Sequence, residues 1–222
     1  MNKLCYHLDE NSFLYFFSAI MGPPNGGGPM LYACATALAE RLCKNNSIDE
    51  KQKAVYVYGF QLFLSSSAVM VSIFILSCLL KSIATSFVFS IIFVSIRLFS
   101  GGYHAKTYGR CFLFSNSVYL LCFFSTRLIQ EHQLFFLCPI LTILSFTVIF
   151  SLTPITHRNH PLSAKTLQKN KLISRVLVSG VSLCVLAAYA FWGDSLFVRM
   201  ASVTLTAAAV MMIVPKFWKG GE

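Results

Sequence analysis

Acidic side chains are scarce in this chain: eight Asp and Glu against eighteen Lys and Arg in 222 residues, with no carboxylate between Glu50 and Glu131. That gap excludes paired-carboxylate chemistry over the middle of the protein and leaves any histidine there without a neighbouring acid to orient it. It also counts against ion-coupled transport, which uses carboxylates inside the membrane. Charge of either sign is low at 12%, about half of what a soluble domain carries, while 56% of residues are apolar and the mean hydropathy is +0.66. Lipid rather than water is therefore the expected solvent. No C-x-x-C pair and no H-E-x-x-H stretch occurs, so the usual zinc spacings are missing and no metal or other cofactor is expected.

The net charge of +10 raises the question of nucleic acid. The cations sit in short blocks between apolar runs, a pattern that the positive-inside rule explains more simply, and no nucleic-acid partner is expected. Eight cysteines, at 5, 34, 43, 78, 111, 122, 138 and 184, fall mostly within apolar runs, which reads as small buried hydrophobes rather than a disulfide framework.

Residues 1–29 stand apart as an extension. Asp9 and Glu10 precede a short apolar patch where a signal peptide would be basic, and the Gly/Pro-rich segment 22–29 cannot hold a helix. Met30 opens a more coherent domain, 30–222, and translation is expected to begin there. Leu31, Ala35, Leu38 and Leu42 recur at helical spacing, predicting an amphipathic helix over 31–43 that is too short to span and that lies at the interface or packs on a bundle.

Six apolar runs follow: 56–80, 83–99, 112–129, 134–152, 172–192 and 196–214. Each approaches the ~20 residues that cross a bilayer. The expected fold is all-α: a polytopic membrane protein of about six transmembrane helices, one or two of them re-entrant alternatives, plus the N-terminal amphipathic helix. With alternating loops and the N-terminus inside, fifteen Lys and Arg fall on the inner side and only Lys81, Arg127 and Arg199 on the outer. This asymmetry places both termini, the segment around His104 and a basic loop over 154–171 in the cytoplasm.

The chemistry concentrates between the second and third runs, in Arg97-Leu98-Phe99-Ser100-Gly101-Gly102-Tyr103-His104-Ala105-Lys106-Thr107-Tyr108-Gly109-Arg110-Cys111. Nearby cations and a base favour the thiolate of Cys111, and His104, Lys106 and Arg110 lie within seven residues of it. On a continuous helix a separation of seven amounts to about 10.5 Å, too far for direct proton transfer, so the chain is expected to bend at Gly109 or at Gly101-Gly102. Cys111 opens an apolar run, where exposed N–H groups at a helix start would further favour the anion. Arg97 either snorkels to the interface or grips a carboxylate or an oxyanion. A backbone group, Asn116 or Ser115 would have to orient His104 in place of an acid. His157 and His160, three apart, are the competing metal candidate, but Pro161 and Arg158 argue for an ordinary loop.

Arg97, Gly101-Gly102-Tyr103-His104 and Cys111, with the arginine seven positions before the histidine and the cysteine seven after it, resemble the signature of the accessory gene regulator B (AgrB) family of membrane cysteine endopeptidases. These process quorum-sensing propeptides in Gram-positive bacteria. The proline-flanked Thr153–Leu162 segment with later lysines is also similar, and the resemblance covers about 30–214.

The resemblance implies His104 and Cys111 as catalytic groups, with Arg97, Gly101, Gly102, Lys165, Lys169 and Lys171 supporting substrate or oxyanion. The implied partners are an AgrD-like propeptide and the lipid bilayer, with pairing of two copies left open. The implied reaction is cleavage of the propeptide and cyclisation to a thiolactone. The family's later loop is often richer in consecutive lysines than 165–171 here. The alternative is a small-peptide exporter without proteolytic activity.

Overall fold

The computed structural model describes residues 29–45, 48–100, 108–153 and 164–217; the proposed extension over 1–28 lies outside them. Among the described residues seven α-helices are formed: α1 Pro29–Lys44, α2 Lys53–Leu79, α3 Ile83–Ser100, α4 Tyr108–Glu131, α5 Leu137–Leu152, α6 Ala164–Trp192 and α7 Leu196–Phe217. No strand occurs among the described residues. The protein is an all-α polytopic membrane protein. Five helices, α2, α3, α4, α6 and α7, are long and apolar enough to cross a bilayer. The fourth apolar run, 134–152, forms α5, whose 16 residues reach about 24 Å, short of ~30 Å of hydrocarbon.

The helices form because apolar side chains in lipid leave the backbone no partner but itself. Where they stop is set locally. α2 ends in a Schellman turn: Lys81 adopts φ 51, its N–H donates to Cys78, and the Ser82 N–H donates to Ser77 at 2.9 Å. The same device closes α4, with Gln133 at φ 52 and the Leu134 N–H on the Ile129 carbonyl at 3.0 Å. α6 ends on Gly193 at φ 67, whose N–H reaches Tyr189 at 2.9 Å.

The chain clusters into two compact units, 1–72 with 105–116 and 73–104 with 117–222. In the first, Leu31, Ala35 and Ala39 of α1 are buried, and Ala35 and Ala39 pack with Val57 of α2 against Phe60 and Leu64. The expected stripe of Leu31, Ala35, Leu38 and Leu42 is kept at Leu31 and Ala35; Leu38 is exposed and Leu42 half-buried, and Ala39 takes the inward position instead. Glu40 of α1 pairs with Lys53 Nζ at 3.1 Å.

In the second unit α7 is the hub, packing against α3, α5 and α6, and of the five long apolar helices it is the most buried and α2 the least. Between helices in lipid the hydrophobic effect supplies little drive, so hydroxyls and small side chains do the joining. Thr142 of α5 meets Ser202 of α7 at 2.9 Å, and Ser145 donates to Thr206 at 3.1 Å. Thr85 of α3 and Tyr119 of α4 share a 2.9 Å hydrogen bond, with Tyr119 edge-on to Phe89. Asp194 pairs with Arg199, whose other nitrogen reaches Gln130 at 3.4 Å and whose guanidinium lies 5.9 Å from the Phe135 ring centre.

Two sequence expectations change here. The stretch 164–171, read as loop, forms the first two turns of α6. Of the cysteines read as buried, Cys122 and Cys138 are, whereas Cys34, Cys78 and Cys184 are exposed. An apolar run shows that a segment prefers lipid without showing which face turns inward.

Candidate active site

Arg97 stands in the last turn of α3, where a cation complements the helix's exposed carbonyls. It is half-buried, and its guanidinium lies 5.7 Å from the ring centre of Phe93, one turn back. Ser100 closes the helix by donating to the Ile96 carbonyl. Gly101, Gly102, His104 and Lys106 lie outside the described residues, as do His157 and His160.

Tyr108 is the first described residue of α4, and Cys111 lies in the first turn of the described helix. Gly109 is helical and is not the bend that the spacing suggested. Cys111 is partly exposed and Arg110 exposed, both within the first unit; Arg97 belongs to the second.

Asn116 is engaged on two sides. Its Nδ2 donates to the Phe112 carbonyl at 2.8 Å and its Oδ1 accepts from Ser72 of α2 at 2.8 Å. Ser115 is buried. The lysines are on α6: Lys169 and Lys171 are exposed, and Lys165 lies in the first turn. Further along, Arg175 stacks at 4.6 Å from the Phe150 ring centre, and Ser174 reaches Thr153 at 3.4 Å. Neither link is readable without knowing which helices face each other.

Arg97 thus stands in the last turn of α3, and a partly exposed Cys111 in the first turn of α4, the next helix in the chain. A family model described as "Accessory gene regulator B" matches residues 35–214. The chain belongs to the AgrB family. No curated protein and no solved structure matches it. The AgrB match takes in every described helix from the interior of α1 to near the end of α7, and it contains Arg97, His104 and Cys111 as well as the lysines of α6. Membership gives this membrane protein an accessory part in quorum sensing.

Proposed function

We propose that the protein is a membrane cysteine endopeptidase that cleaves an AgrD-like propeptide and helps to cyclise it. The observation that carries this reading is the AgrB match over a region holding Arg97, His104 and Cys111 at intervals of seven, with Cys111 partly exposed at the start of α4. His104 takes the thiol proton, and the Cys111 sulfur attacks the scissile carbonyl. The peptide C–N bond breaks, His104 returns the proton to the leaving amine, and an acyl thioester remains on Cys111. A thiol within the bound peptide then displaces Cys111, giving the thiolactone and restoring the enzyme thiol. Exchange between two thioesters is nearly isoenergetic, so exclusion of water decides cyclisation against hydrolysis.

Arg97 and the Gly101-Gly102 backbone support the substrate or the oxyanion, and Lys165, Lys169 and Lys171 attract an acidic propeptide tail. The fifteen-to-three cation asymmetry supports a cytoplasmic location for the catalytic segment and both termini. Co-expression with an AgrD-type propeptide and mass spectrometry of the product tests the reading. Cys111→Ser and His104→Ala each abolish processing while membrane insertion persists; processing at the wild-type rate in Cys111→Ser would assign the chemistry to another group.

A further inference from the structure

Asn116 is the one buried side-chain amide among the described residues, 9% exposed. Elsewhere in the bundle, helices are joined by pairs of hydroxyls such as Thr142 with Ser202, which suffice to hold two backbones together. An amide in lipid is more costly to satisfy than a hydroxyl, and Asn116 reaches in two directions. Its NH2 faces the Phe112 carbonyl at 2.8 Å, which can only accept, and this fixes the amide's orientation; its oxygen therefore receives the Ser72 hydroxyl at 2.8 Å. Phe112 is the residue directly after Cys111. The side chain thus ties the peptide next to the thiol to the middle of α2, within one compact unit.

We propose that Asn116, held by Ser72, is a positioning residue for Cys111. It sets the rotation and depth of the first turns of α4, and so where the sulfur stands relative to a bound peptide carbonyl. The inference rests on Cys111 being the nucleophile. A nucleophile displaced by about 1 Å loses up to about a hundredfold in rate while substrate binding is little changed. A bond that only glued the helices would lower thermal stability and leave turnover below the melting range untouched.

The full chain in liposomes is given a tagged AgrD-type propeptide with an amphipathic start, a central cysteine and an acidic end. Ser72→Ala is expected to lower kcat about tenfold with KM within twofold. Ser72→Thr, which keeps the hydroxyl, restores kcat, and Asn116→Leu falls at least as far as Ser72→Ala. Unchanged kcat in Ser72→Ala, with Cys111→Ser inactive in the same preparation, would overturn the positioning role alone. Activity retained in Cys111→Ser would instead overturn the peptidase reading on which it rests. If Asn116→Leu fails to insert, the Ser72→Ala and Ser72→Thr pair decides.

Discussion

Arg199 and Asp194 form an ion pair whose two members are unequally buried, and this fixes the order in which its variants lose stability. The arginine side chain is 8% exposed and the aspartate 23%. Asp194→Asn leaves a guanidinium inside the bundle with Gln130 at 3.4 Å, the Phe135 ring, and an Nε that already has no partner. Removing one member of a fully buried pair costs about 3–5 kcal/mol. Partial exposure of the aspartate reduces this to about 2–3 kcal/mol.

Arg199→Met instead leaves a carboxylate that water can reach, and methionine refills much of the apolar volume, so about 1 kcal/mol is expected. The double variant D194N/R199M strands no charge and should recover most of the Asp194→Asn loss. At roughly 2–4 °C per kcal/mol for a chain of this length, Asp194→Asn melts about 4–12 °C below wild type in detergent, measured by the folded fraction surviving graded heating. Arg199→Met melting at or below Asp194→Asn, or strictly additive losses in the double variant, would refute this account of the pair.

Lys81 and Gln133 hold left-handed conformations that favour glycine, so Lys81→Gly or Gln133→Gly should raise stability by up to about 1 kcal/mol; a lower melting point in both would show that these turns carry no torsional cost. At Gly193 an added Cβ meets nothing within 4 Å and the φ is +67. Gly193→Ala should therefore cost about 1 kcal/mol from torsion alone, and Gly193→Asn less, checked by the same melt. Thr142 and Ser202 each also reach a carbonyl one turn back, at 2.8 Å in both cases, so each hydroxyl keeps an acceptor when the other is lost. A double-mutant cycle with Thr142→Val and Ser202→Ala should give a coupling near ~0.6 kcal/mol; 2 kcal/mol or more would mean that the seam stores far more than hydroxyl contacts supply.

The helical runs were legible because lipid demands a length and a composition that a sequence displays directly. Their ends were less so. α6 starts eight residues before its apolar run because Lys165, Lys169 and Lys171 are good helix formers; charge marks where hydrocarbon ends, while the helix continues beyond it. α5 starts three residues late because Leu134 and the two phenylalanines after it are spent on the turn out of α4. The pattern of Arg97 and Cys111 was legible as chemistry, and the structure puts them at the end of α3 and the first turns of α4. The commitment of Asn116 to Ser72 could not be read, since it depends on α2 and α4 meeting 44 residues apart in sequence. The shortness of the link at Lys81 was legible, but the left-handed conformations of Lys81 and Gln133 were not, because neither residue is glycine.

The connections differ sharply along the chain. α2 to α3, α4 to α5 and α6 to α7 are joined by residues 80–82, 132–136 and 193–195, each turned through a left-handed residue and closed by backbone hydrogen bonds. Such turns have no free length in which to shape a binding site. α3 to α4 and α5 to α6 are joined by 101–107 and 153–163, and these hold His104, His157 and His160. The two longer links and the helix ends that flank them carry Arg97, His104, Cys111 and the α6 lysines on which the proposed function rests, so substitutions there should alter propeptide processing, whereas substitutions in the closed turns should alter stability alone.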